Sequence, residues 1–80
     1  MKKARENEKT NQVIVKLEDN NKIENIIKDS KYKVKLLTYL ENINAYLLEC
    51  ENIEECEELL INLNSADSVS YAEMNYIRNE

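Results

Sequence analysis

Two thiols, Cys50 and Cys56, carry the most reactive side chains in this chain, with five residues between them. Such a pair can bind a soft metal or close a disulfide. A structural zinc site takes four Cys or His ligands, and the chain holds 2 cysteines and no histidine. Nor do two cysteines make a disulfide scaffold. Cys50 falls on an inward strand position and Cys56 on an apolar helical stripe, so both read most simply as core residues. The carboxylates Glu51, Glu54, Glu55, Glu57 and Glu58 lack the loop geometry of a calcium site and read as one solvated helix face.

Five tyrosines (Tyr32, Tyr39, Tyr46, Tyr71 and Tyr76) could stack on bases, but the basic, glycine-containing motif that accompanies such stacking on RNA-binding sheets is missing. Lys31, Lys33 and Lys35 form a local basic stripe that reads as a solvated strand face. With 16 Asp and Glu against 11 Lys and Arg, the chain lacks the basic surface that displaces counterions from phosphates, so no nucleic-acid partner is expected. The absence of histidine leaves no Ser-His or Cys-His pair, and the absence of glycine leaves no phosphate-cradling loop. Catalysis is not expected, and neither is a metal or other cofactor.

A chain of 80 residues is enough for one domain, burying only about 60% of its unfolded surface. Residues 1–10 are polar and aperiodic and read as a loose, flexible tail; residues 11–76 read as the folded unit, and 77–80 as a second tail. Within the unit, Gln12 to Leu17 alternates Val13, Val15 and Leu17 on one face, the pattern of a strand. Asp19, Asn20 and Asn21 offer turn and capping chemistry before a short helix over 22–29, whose apolar residues are Ile23, Ile26 and Ile27.

A second strand over 32–40 is expected to place Val34, Leu36, Thr38 and Leu40 on one face and Leu37 and Tyr39 on the other. Glu41 to Asn44 reads as a turn in which an Asn tolerates positive φ. Ala45 to Cys50 is a third strand. Asn52, with Glu55 three residues later, has the capping-box arrangement at the start of a helix striped by Ile53, Cys56, Leu59, Leu60 and Leu63. Asn64 to Asp67 breaks that pattern, and Ser68 to Met74 reads as the last strand. The order strand, helix, strand, strand, helix, strand, with two similar halves, is the ferredoxin-like split βαβ plan: an α+β domain with two helices on one face of a four-stranded antiparallel sheet. That plan serves many tasks and assigns none.

Two segments carry more than the fold. Ile43-Asn44-Ala45-Tyr46, followed by Leu47-Leu48, resembles the motif that opens the third strand of subtilisin-like serine protease propeptides. Ser68-Val69-Ser70-Tyr71-Ala72-Glu73 is similar to the last strand of the same family, where Ser-Val-x-Tyr-Val-Glu is typical. The resemblance spans about residues 11 to 80. It implies an intramolecular chaperone that is cleaved from its protease by the protease itself and stays bound as an inhibitor. The partner would be the cognate subtilisin-like catalytic domain.

The resemblance further implies that the open sheet face packs on two protease helices, with Glu73 and Asn75 capping their amino ends. Asn75 stands where an Asp is common. The tail Ile77-Arg78-Asn79-Glu80 would lie in the substrate cleft as a product-like strand. If the chain ends at its processing site, Glu80 precedes the scissile bond and Ile77 is the fourth residue before it. Glu80 is unusual for the primary pocket, and the segment after Ile77 is about one residue shorter than in well-known secreted subtilisins.

The charged start, Met1 to Glu8, lacks the apolar stretch of a secretory signal, and no apolar run approaches the roughly 20 residues of a membrane span. An intracellular or spore-associated setting is therefore expected over secretion, with no membrane contact. Together with the Asn-, Ile- and Lys-rich composition, this fits the clostridial spore germination branch of the family. The competing reading is a stand-alone regulatory or protein-interaction domain of the same fold.

Overall fold

The structure, a computed structural model, describes residues 7–18 and 22–78. Its elements are β1 (Asn7–Leu17), α1 (Ile23–Asp29), β2 (Val34–Leu40), a 3-10 turn (Glu41–Ile43), β3 (Ala45–Cys50), α2 (Ile53–Ser65) and β4 (Val69–Arg78). The strands form one antiparallel sheet in the order β2-β3-β1-β4. This is the expected ferredoxin-like arrangement, with β2 and β4 at the edges.

The core lies between the helices and one face of the sheet. Val13 and Val15 of β1, Leu48 and Cys50 of β3, and Ala72 and Met74 of β4 form the sheet side. Ile23 of α1 and Cys56, Leu59 and Leu63 of α2 close over them. Burying a Val or Leu side chain stabilises by roughly 1.5–3 kcal/mol, so these few residues supply most of the driving force for folding. Ile53, by contrast, is exposed, so the buried stripe of α2 starts at Cys56.

Local chemistry explains the element ends. Asn52 accepts a hydrogen bond from the Glu55 amide at 2.8 Å, which satisfies one of the unpaired donors at the start of α2. Asn44 takes a left-handed conformation (φ 52°, ψ 48°), and its Oδ1 receives the Tyr39 hydroxyl at 2.9 Å. A short amide side chain tolerates that region with little strain, so this corner needs no glycine. α1 differs from the expectation of an Asn cap: its N-cap is Lys22, which makes no side-chain capping bond. A helix of seven residues without a cap depends on tertiary packing, which Ile23 provides. The turn expected at Asp19 to Asn21 lies outside the described residues.

Three register slips shape the sheet. In β2, Leu36 pairs with Leu48 but Thr38 pairs with Leu47, leaving Leu37 as an extra residue. Beyond this bulge the alternation inverts, which corrects the expected single face. Val34 and Leu36 share the inner face with Cys50 and Leu48, whereas Thr38 joins Leu47 on the outer one. Tyr39 then meets Tyr46, their ring centroids 4.9 Å apart. A second slip lies between Lys16 and Leu17, opposite Ser70, and a third between Lys9 and Val13.

The sheet also runs further than expected at both ends. Residues 7–10, read from the sequence as loose tail, belong to β1, and β4 continues past Met74 to Arg78. Asn7, Glu8 and Lys9 pair with Arg78, Ile77 and Tyr76. The all-polar Asn7-Glu8-Lys9 hid this pairing, because a strand without apolar residues shows no alternation in sequence. A further correction concerns the thiols. Cys50 and Cys56 are buried as expected, and they are also bonded to each other, with Cα atoms 5.6 Å apart. The tight β3–α2 turn, set by the Asn52 cap, brings them together.

Candidate functional site

The face of the sheet away from the helices has no covering layer among the described residues. Its centre is Ile14 of β1, paired with Leu47 of β3 on one side and Glu73 of β4 on the other. Ile14 and Leu47 are each half-buried, and neither belongs to the core under the helices. Lys16 and Tyr71 pair at one end of this face, and Gln12, Glu49 and Lys35 lie across the other. A small apolar centre ringed by charges and amides is the composition of a docking face rather than of a catalytic cleft.

Glu73 is exposed on this face beside Ile14, two residues before Asn75 on the same strand. Asn75 is half-buried, and its Nδ2 donates to Gln12 Oε1 at 2.9 Å. Its carbonyl Oδ1, the acceptor a helix cap requires, has no hydrogen-bond partner among the described residues. Both candidate caps therefore stand on one face, the charged one free in solvent and the neutral one held by its amide. Ile77 and Arg78 are the last described residues of β4, extended and paired with Glu8 and Asn7. Asn79 and Glu80 lie outside the described residues.

Sequence reasoning missed a polar joint where β1 slips against β4. Thr10 is buried, its hydroxyl donating to the Asn75 carbonyl and accepting from the Gln12 N–H, the latter at 3.1 Å. Asn11 donates from Nδ2 to the Cys50 carbonyl at 2.8 Å. These bonds satisfy backbone groups that the slip would leave unpaired. The signal that could have revealed the joint is the run Thr10-Asn11-Gln12, polar at three successive positions just before the apolar alternation begins.

Asn64, near the end of α2, closes the outer edge of β4. Its side chain donates to the Ala72 carbonyl and accepts the Ala72 N–H, each at 3.0 Å. On the helix side a cleft of about 440 Å³ opens between α1 and α2, floored by Ile26, Leu59 and Leu63. It is remote from the candidate face. Among the described residues no group of His, Cys, Asp and Glu could hold a metal ion, and no helix is long and apolar enough to cross a membrane.

Comparison with protein families finds a match over most of this chain. Residues 2–75 match the family model of the fervidolysin N-terminal prodomain. The chain belongs to that family. The fervidolysin-type prodomains are propeptides of subtilisin-like proteases, so this chain is a prodomain rather than a catalytic domain, and association with a subtilisin-like catalytic domain follows from its membership. The match begins nearer the amino end than the resemblance at 11 and stops before Tyr76, short of the tail. Comparison with curated proteins and with solved structures finds no match.

Proposed function

We propose that this prodomain is the intramolecular chaperone and inhibitor of a subtilisin-like protease, released by autoprocessing and held afterwards in the substrate cleft. The observation that carries the reading is the pairing of a fervidolysin-type prodomain match with a sheet face that no helix among the described residues covers. A thin domain with its apolar centre at Ile14 and Leu47 gains burial by lying against a partner. Glu73 stands where a carboxylate can receive the unpaired N–H groups at a helix amino end, an interaction of about 0.3–1 kcal/mol when exposed. Asn75 offers the same partner a neutral acceptor. Ile77 to Glu80 would then enter the cleft as a product-like strand, with Ile77 filling an apolar pocket.

The partner is stated at the level of subtilisin-like catalytic domains. The fervidolysin-type match carries no argument for the narrower germination-protease branch. The test is inhibition of a panel of such proteases by the 80-residue chain, with and without Ile77–Glu80, alongside refolding of each catalytic domain with the chain present. Tight inhibition that is lost on truncation, with faster recovery of refolded activity, is the expected result. No inhibition and no refolding gain across the panel would overturn the proposal in favour of a stand-alone interaction domain.

A further inference from the structure

We infer that residues 22–33, the helix α1 and the bend after it, are the proteolytic release site of this prodomain. A protease first cuts the folded chain there, and one cut takes the sheet apart. The inference rests on the inhibitor reading above and adds to it the place where the inhibitor is dismantled. α1 holds only seven residues, starts without a side-chain cap at Lys22 and buries Ile23 alone. Helices this short do not persist by themselves, so α1 stands or falls with its packing.

That packing is thin. α2 lies broadly on β1 and β4, whereas α1 makes sparse contact with the strands. The cleft of about 440 Å³ is walled on the α1 side by Ile26, Asp29, Ser30 and Lys31, where a tighter core would have side chains. Ile26 and Ile27 are half-buried. Beyond them the segment is held at Ile23 and at Tyr32, whose hydroxyl reaches Glu58 of α2. An element with few buried contacts opens locally at low free energy, well before the whole domain unfolds. Opened, residues 23–32 span about 30 Å of extended chain, at about 3.3 Å per residue. A protease cleft takes its substrate as such an extended strand.

The other connections resist the same attack. β3 runs directly into α2, and the Cys50–Cys56 bond holds the two ends together even after a cut between them. α2 carries the Asn52 cap at its start and the Asn64 bonds to Ala72 near its end. The 3-10 corner Glu41–Ile43 offers three residues between paired strands, too few to extend. A cut in 22–33 also falls where it does most harm. β1 is an inner strand with β3 on one edge and β4 on the other, and its Val13 and Val15 are fully buried. α1 is its covalent link to everything that follows. A linked segment has an effective concentration of about 1 mM, so at about 1 µM a severed β1 is at a disadvantage of about a thousandfold. α1 packs on the core side of the sheet, opposite the face at Ile14 and Leu47, so a partner on that face leaves it open to attack.

A glutamate-specific protease supplies the first test on the free chain, because Glu24 lies in α1 while Glu54, Glu55, Glu57 and Glu58 lie in α2. Under brief digestion, mass spectrometry should find the first cut between Val13 and Tyr76 immediately after Glu24. The nicked chain, held at about 1 µM, should lose its sheet signal in circular dichroism and run as two pieces. Lys22→Ser gives α1 a cap and should slow that cut about 3- to 10-fold, with cuts in α2 unchanged. The second test uses the catalytic domain that the chain inhibits most tightly. Its first cut in the same span should lie within residues 22–33, and Lys22→Ser should lengthen inhibition by the same factor without changing the initial affinity.

A first cut elsewhere in that span, by either protease, would overturn the inference. So would a nicked chain that stays folded in one piece, or a capped variant cut as fast as the unaltered chain. If the chain inhibits no protease of the panel, the inhibitor reading is the one that fails. The map of cuts and the fate of the nicked chain then still decide whether one cut at α1 dismantles the domain.

Discussion

Breaking the Cys50–Cys56 bond should destabilise this prodomain by about 2.3 kcal/mol. The bond closes a loop of seven residues, counting both cysteines. In the chain-entropy treatment, the freedom removed from the unfolded chain grows with the logarithm of loop length; for so short a loop it comes to about 8 cal/mol/K, or about 2.3 kcal/mol at 25 °C. For a domain of this size each kcal/mol shifts the melting midpoint by roughly 4–8 °C, so the midpoint should fall by roughly 9–18 °C.

Reduction is the right perturbation, because it leaves both buried sulfurs in the core and removes only the cross-link. The assay is a thermal melt followed by circular dichroism, with and without reductant, with mass spectrometry confirming two added hydrogens. Iodoacetamide should label neither sulfur before reduction. An unchanged midpoint with both thiols free would refute the reasoning. A fall well beyond 18 °C would show that the bond holds native packing together as well as limiting the unfolded chain.

Three further outcomes are expected. Asn52→Ala removes the side-chain cap of α2 and should cost about 1 kcal/mol in denaturant unfolding, whereas Asn52→Asp should keep most of the stability. Glu73→Gln should weaken binding to the catalytic domain about 2- to 5-fold without moving the melting midpoint, since the side chain is exposed on the uncovered face. The Tyr32 hydroxyl donates to Glu58 Oε1, and this hydrogen bond to a carboxylate holds the phenol above its ordinary pKa of 10.0. The folded pKa is thus the higher one, so any contribution to stability is complete below pH 10 and is lost as pH rises through the folded value. Phenolate absorbance in Glu58→Gln should show one tyrosine titrating earlier than in the unaltered chain, and Tyr32→Phe should remove that tyrosine from the titration.

Local chemistry made much of this fold legible. β3 occupies Ala45–Cys50, as its alternation predicts, and Asn52 caps α2 as the capping-box spacing predicts. The left-handed corner falls on an Asn, the residue type expected to accept it. What stayed hidden is decided between strands rather than along them. Leu37 looks like any other member of an alternating run until Leu47 and Leu48 determine which neighbours it has. The pairing of residues 7–9 with 76–78 joins the all-polar Asn7-Glu8-Lys9 to a distant segment, and hydrophobic alternation carries no information about such a ribbon. The candidate face is legible as the other side of the strands that build the core. The joint at Thr10 is not, because its partner Asn75 is 65 residues distant.

The bulge at Leu37 has a consequence for how copies of this domain behave in company. β2 is an edge strand with Leu36, Leu37 and Tyr39 all exposed, a combination that invites another chain to zip alongside. The extra residue in mid-strand throws the hydrogen-bonding rhythm out of step, so an approaching straight strand can match one half of β2 or the other, never both. Deleting Leu37 should turn a self-limiting edge into a sticky one, and light scattering on concentrated samples would reveal the aggregation that the kink now prevents.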